Sequence, residues 1–345
     1  MLGKLQKIGV IKRGLLCLAI LMITSICCSC KKQEQQEPNS IRIGVSLYKG
    51  DDTFINNIRS EMEEKAKEYE QKNGIKMTLD IQDAKGNQNT QNTQVERFIS
   101  LGCDVLCINP VDRMAASAMI DKAMTAGIPV VFFNRQPVEE DMNRWDQLYY
   151  VGVDAKETAI LQGNILVNLY QEDPSSLDLN GDGVISYVLL EGENSHQDSL
   201  IRTEWSIQTL KNGHVPIEKL AGAIANWERS QASAIMEQWL KEYGDDMELV
   251  ISNNDDMALG AIDAIDRAGG SRVNLVGIDA TVPGAEAVRN GKMLGTVACD
   301  KEKYAWAIVE LAAAKARGLE VGKELALTDG KYYWCSQEIL LKNGK

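Results

Sequence analysis

The sequence predicts an α/β protein built from two doubly wound, parallel-sheet domains. Three observations predict this. From Ile41 onward, short runs rich in β-branched and apolar residues alternate with longer segments of helical periodicity, the pattern of parallel strands joined by right-handed crossovers. The alternation continues through two series, each long enough for a sheet. The strands also end repeatedly on polar clusters, as they do where strand carboxyl ends and helix N-termini converge on a ligand.

In chain order, a strand over 41–47 leads to an amphipathic helix over about 53–71. A strand over 76–81, a helix near 93–101, a strand over 105–109, a helix near 115–126 and a strand over 129–133 follow. One sheet is expected to close near Phe133. A second series runs through strands at 149–153, 184–190, 249–251, 274–278 and 295–297. Two domains in one chain leave a cleft between them, a favoured place for a small ligand.

The stretch after the 184–190 strand breaks at Gly192 and opens a helix carrying His196, Asp198 and Arg202 within seven residues. A plain structural reading makes Asp198 the helix cap and Arg202 its surface partner four residues on. The recurrence of such strand ends argues for more: Asp52 follows the first strand, Asn109 the third, Asn254 and Asp279 later ones. Ringing one cavity, Asp52, Asn109, His196, Asp198, Arg202, Asn254 and Asp279 both accept and donate. Carboxylates and amides pair with vicinal hydroxyls, and a guanidinium supplies a rigid donor fork. That set suits a polyol. Phe54 and Trp227, each at a strand-to-helix junction, could cover the C–H faces of a pyranose. Each hydrogen bond adds only about 1 kcal/mol net, so roughly a dozen support micromolar binding.

The loop from Asp178 to Ser186 carries oxygen ligands at alternate positions, Asp178, Asn180 and Asp182. Gly183 stands sixth for the tight turn, the Val184 carbonyl seventh and the Ser186 hydroxyl ninth, matching the first nine positions of a Ca2+ loop. The twelfth position is Leu189, so a bidentate glutamate must come from elsewhere. A metal-free turn rich in Asx residues is the alternative.

The chain has 345 residues, 25% of them charged and 44% hydrophobic, enough for two sizeable cores. The N-terminus differs: Lys4, Lys7, Lys12 and Arg13 precede an apolar run over about 15–26, the two regions of an export signal. It ends in Cys27-Cys28-Ser29-Cys30 and looks like a bacterial lipoprotein signal, with Cys30 acylated after cleavage and 30–40 as tether. Cys27 stands where such signals prefer leucine, and Cys28 is an alternative site. Without residues 1–29 the chain keeps 33 basic against 49 acidic residues, a net charge of −16. That argues against nucleic acid as partner, since phosphate binding needs clustered Lys and Arg. Cys103, Cys107, Cys299 and Cys335 show no zinc-type spacing, and the first two read as small core hydrophobes.

Together these segments resemble the glucose/galactose-binding proteins of bacterial ABC sugar importers, which have the type I periplasmic-binding fold. The resemblance rests on 48–54, 108–112, 130–134, 149–154, the Ca2+-type loop at 178–186, His196 with Asp198 and Arg202, 253–255 and 276–280. It implies that Asp52, Asn109, His196, Asp198, Arg202, Asn254 and Asp279 contact the sugar, with Phe54 and Trp227 as stacking rings. Glu248 stands where the family completes its Ca2+ site. Two residues depart: Cys299 occupies a position where the family bonds sugar through asparagine, and Ser186 replaces a longer amide ligand. The resemblance also implies lobes over 41–128 plus 299–334 and 129–298 plus 335–345, joined by a three-strand hinge near 128–130, 297–299 and 334–336. Expected partners are a monosaccharide, ABC permease subunits and a chemoreceptor, for a monomer held at the membrane only by its lipid.

A glycosidase using Asp52 and Asp279 is a rival reading, but no activated nucleophile pattern accompanies them. The sensor core of a repressor shares the fold, yet the export signal, the acidic charge and the lack of a basic helix-turn-helix count against it. A pentose receptor is the third alternative. The sequence does not rank glucose, galactose and other sugars.

Overall fold

The computed structural model describes residues 40–270 and 272–342. The leader, Cys30 and all of the tether but its last residue lie outside the described residues. Among the described residues no helix is long and apolar enough to cross a membrane.

Strands β1 (Ser40–Leu47), β2 (Lys76–Asp83), β3 (Val105–Ile108), β4 (Val130–Phe133) and β5 (Leu148–Gly152) join in one parallel sheet, ordered β5-β4-β3-β1-β2. The second sheet takes β6 (Ile185–Glu191), β7 (Ile217–Ile224), β8 (Leu249–Ser252), β9 (Asn274–Val276) and β10 (Gly295–Cys299), ordered β10-β9-β8-β6-β7. The chain then returns to add β11 (Tyr332–Trp334) parallel to β5, and ends with β12 (Gln337–Leu341) antiparallel to β10.

One expectation is corrected. Val131 pairs with Cys107 and Tyr149 with Val131, so β4 and β5 both belong to the first sheet. The first crossing between lobes therefore follows Gly152 rather than falling at 128–130. Both are short, wholly buried apolar runs, and such runs read the same in either parallel sheet. The first lobe is 40–152 plus 300–334, and the second 153–299 plus 335–342.

Helices cover both faces of each sheet: α1 (Thr53–Asn73), α2 (Gln88–Ser100), α3 (Ala116–Ala126) and α4 (Glu139–Met142) belong to the first lobe. The second carries α5 (Ala155–Glu172), α6 (Gln197–Asn212), α7 (Arg229–Glu242), α8 (Asp255–Arg267) and α9 (Val282–Arg289). The last helix, α10 (Lys301–Ala316), crosses back to pack beside α1. Strand alternation feeds both cores. Val105 and Cys107 pack with Ile58 of α1 and Ile308 of α10, while Leu106 and Ile108 pack with Phe98 of α2 and Ile120 of α3. Each such aliphatic burial contributes about 1.5–3 kcal/mol. Cys103 and Cys107 are buried as packing residues, and all four cysteines of the folded part are free thiols.

Helix α1 shows how local signals set the elements. Its apolar residues Ile55, Ile58, Met62, Ala66 and Tyr69 recur three or four apart and form its buried stripe. Asp52 caps its N-terminus by accepting from the Ile55 N–H at 2.9 Å, and Gly74, left-handed at φ 68°, ends it.

Candidate functional site

The carboxyl ends of both sheets meet around a cavity of about 40 Å³. Tyr48, Asp52, Phe54, Ile55, Asn134 and Arg135 line it from the first lobe. His196, Asp198, Arg202, Trp227, Asn254 and Asp279 line it from the second. Both lobes wall this space, so a guest the size of a sugar enters when the lobes part.

Three lining residues are helix N-caps, which explains their place and their fixed orientation. Asp52 caps α1; His196 caps α6 by accepting the Asp198 N–H on Nδ1 at 3.1 Å; Asn254 caps α8 by accepting the Met257 N–H at 2.9 Å. The plain structural alternative for Asp198 therefore does not hold: it is not the cap of α6 but a first-turn carboxylate 3.7 Å from Arg202. Backbone strain also gathers here. Asn134, Trp227 and Asp279 line the cavity at φ 62°, 65° and 106°, and Asn226 and Ala280 beside them adopt φ 52° and 43°. Left-handed non-glycine residues cost roughly 1 kcal/mol or more each, so such clustering marks positions fixed for function.

The charges interlock. Arg202 donates to the Asn253 carbonyl at 2.9 Å and stands 3.7 Å from both Asp198 and Asp279. Tyr48 donates to Asp52 at 2.5 Å. Burial raises the carboxyls of Asp52 and Asp198, and that of Asp279 well above its usual range, with Arg202 or neighbouring hydrogen bonds opposing it. Burial, helped by the Arg135, Arg202 and Arg113 charges, holds His196 far below the usual imidazole value. It is neutral at pH 7, and since Nδ1 accepts, its proton sits on Nε2. Trp227 lies flat on Gly192: a methyl added there would come 2.1 Å from the indole. The indole Nε1 and the Nε of both Arg135 and Arg202 are buried without a hydrogen-bond partner. The set offers carboxylates as acceptors, guanidinium, indole and imidazole N–H as donors, and Phe54 and Trp227 as apolar surfaces.

Behind the site, Asp255 at the start of α8 steadies the strained turn. It accepts from the Thr281 N–H at 2.8 Å and the Thr296 hydroxyl at 2.7 Å, two residues past Asp279 and across from it. Burial pushes its carboxyl from an ordinary 3.8 up to about 7. The folded chain thus keeps a proton that the unfolded chain releases, and this residue's contribution to stability is full below about 3.8 and lost as pH rises through about 7. The melting temperature of Asp255→Asn relative to the parent is expected to rise by a few degrees between about pH 5 and pH 8. A difference that stays flat across that interval contradicts the assignment.

Eight of the ten residues expected to contact ligand line the cavity; two do not. Asn109 is fully buried behind it, with its amide donating to Asn134 at 3.1 Å and accepting the Tyr48 N–H at 3.3 Å. It holds two lining residues and touches the cavity through neither atom. Cys299 pairs with Gln337 in the sheet and packs against the first-lobe core, its thiol pushed up to about 12 by burial and then by Asp279. Tyr48, Ile55, Asn134 and Arg135 are lining residues that the sequence reading did not single out. The signal was present for two of them: Asn134 and Arg135 follow β4 as Asp279 follows β9.

The 178–186 loop is knit by its own side chains. Asp178 accepts from the N–H groups of Gly181 and Gly183 at 2.7 and 2.9 Å, Asn180 from Asp182, and Asp182 from Val184. Glu248, fully buried, accepts from Leu179 and Asn180 on one oxygen and from Ser186 on the other. Among the described residues no three His, Cys, Asp or Glu side chains group as metal ligands.

Comparison with known proteins agrees with this architecture. A periplasmic binding protein domain matches residues 43–320. The D-galactose/methyl-galactoside binding periplasmic protein MglB of Haemophilus influenzae is 38% identical over 278 residues, covering 80% of this chain and 82% of that protein. A putative rhizopine-binding protein of Rhizobium meliloti is 32% identical, covering 82% and 87%. An ABC transporter solute binding protein from Bacillus halodurans, solved with bound myo-inositol, superposes with a TM-score of 0.73 at 29% identity, covering 90% and 96%. With two parallel sheets, a cleft at their carboxyl ends and these relatives, the chain belongs to the periplasmic binding protein family, in its type I fold, and is a binding protein rather than an enzyme.

Proposed function

We propose that this protein is the extracytoplasmic receptor of an ABC sugar importer, capturing D-galactose or D-glucose, or a methyl galactoside, between its lobes and presenting it to the permease. The observation that carries this reading is the cavity itself, where acceptors, donors and two aromatic rings from both lobes face one small space. The 38% identity to a relative that binds D-galactose and methyl galactoside supports a hexose as the guest. The outer cleft, of about 680 Å³, is lined by three cations and six carboxylates, which disfavours sugar phosphates and uronates. Closure on the guest excludes water from its hydrogen bonds and creates the surface a permease reads. Titration calorimetry with galactose, glucose, methyl galactosides, ribose, xylose and myo-inositol tests the reading: tightest binding to a hexose or its methyl glycoside supports it, and preference for a pentose or for myo-inositol overturns it.

Lipidation at Cys30 would fix the receptor at the membrane, and mass spectrometry of the native N-terminus reports it. The 178–186 loop is proposed to take Ca2+. Its donors are all oxygen, which suits a hard cation, and its carboxylates Asp178, Asp182 and Glu248 take part in none of the ion pairs found among the described residues. Their hydrogen bonds to N–H groups leave lone pairs for a metal. Excess chelator is expected to lower the melting temperature of the sugar-free protein, since a metal held only by the folded state stabilises it. An unchanged melting curve would remove the ion from the account.

A further inference from the structure

Among the described residues two ion pairs cross the cleft, and they differ in kind. Lys49 of the first lobe meets Glu228 of the second with both side chains about one-third exposed, 32% and 35%. Such a pair is screened by solvent and holds little. Arg135 meets Glu193 with side chains 5% and 27% exposed, and both carboxylate oxygens are engaged at 2.8 and 3.0 Å. Bidentate guanidinium–carboxylate pairs are strong and geometrically demanding.

The rest of Arg135 is held by its own lobe. Its guanidinium carbon lies 3.6 Å from the centre of the Tyr48 ring, and one terminal nitrogen also donates to the Val111 carbonyl at 3.0 Å. These contacts survive when the lobes part, so Glu193 is the partner that leaves. What remains is Nε, buried, facing no acceptor, on a residue that lines the cavity. Arg202 has an unpartnered Nε as well, but its polar contacts all lie within the second lobe.

We propose that Arg135 is a clasp between guest and opposite lobe: its Nε–H donates to the bound sugar while its terminal nitrogens grip Glu193, so that this one pair sets how long the sugar stays. The inference rests on the sugar-capture reading above. Lysine cannot replace it, because a single ammonium does not present two coplanar donors to Glu193 and a third to a guest. Contacts formed only on closure act on escape rather than on encounter.

Stopped-flow tryptophan fluorescence with D-galactose tests it. Glu193→Gln and Arg135→Lys are each expected to speed dissociation by about tenfold or more while association changes by less than about threefold, and the double variant should release little faster than the faster single one. Lys49→Ala, at the exposed pair, should alter release by less than about threefold. Release from Glu193→Gln at the parent rate, or fully multiplicative effects in the double variant, overturns the clasp while leaving sugar capture intact. A parent protein that binds no sugar of the calorimetric panel overturns both.

Discussion

Replacing Arg202 with methionine is expected to weaken hexose binding at least about a hundredfold, roughly 2.8 kcal/mol, with the fold retained. Arg202 is 6% exposed and sits between Asp198 and Asp279, 3.7 Å from each, while bonding the Asn253 carbonyl. Methionine fills a similar volume but removes the cation. Burial already holds both carboxyls above their usual range, and the Arg202 charge is the main influence opposing it. Without it both carboxyls shift further toward the protonated form, in a site that needs acceptors. Removing one partner of a buried charge cluster is costlier than removing the cluster, because the residual charges stay desolvated. Calorimetric titration with D-galactose measures the loss, and thermal melting checks the fold. An affinity within tenfold of the parent would mean that the charges flanking Arg202 do not hold the guest.

The second large effect is expected at a residue with no side chain. Gly192→Ala places a methyl 2.1 Å from the Trp227 ring, well inside contact distance, and the indole must move. It has little freedom. Trp227 is already left-handed at φ 65°, His196 packs edge-on with ring centres 5.3 Å apart, and the Arg202 guanidinium lies 5.8 Å from the ring centre. The displaced ring goes into the cavity or out of the lobe, and in either case the stacking surface is gone. Gly192→Ala should therefore weaken hexose binding by about tenfold to a hundredfold, matching or exceeding Trp227→Ala, since stacking and apolar cover of this size are worth about 1–3 kcal/mol. A Gly192→Ala protein that binds as tightly as the parent would show that Trp227 is not seated as described.

Much of the site could be read from the sequence because one rule found it. A polar residue directly after a β-rich run lies at a sheet's carboxyl edge, and that rule located Asp52, His196, Asp198, Asn254 and Asp279 without any contact being known. It failed at Asn109 for a reason of direction. The residue stands at the edge as expected, but its amide turns inward to tie Tyr48 to Asn134. Sequence places a residue at an edge; packing decides which way it points. At β4 the same rule points to Asn134 and Arg135, the latter with the most demanding geometry in the cleft. Sheet membership was the other gap. The pattern of buried strands is the same for every member of a parallel sheet, so the series was divided at Phe133 when β5 still belonged to the first lobe. Glu248 was found only through resemblance, since nothing local links it to a loop some sixty residues earlier.

The return of α10 to the first lobe bears on the order in which the molecule is finished. Tyr304, Ile308 and Leu311 fill the face of the first sheet that α1 alone leaves partly open. Everything between β6 and β10 is contiguous, and that half lacks only its edge strand β12 when Cys299 has been made. The first lobe thus gains its full interior only after the five parallel strands of the second have been made, and the polypeptide emerging from the ribosome carries an incomplete leading lobe until α10 and β11 follow.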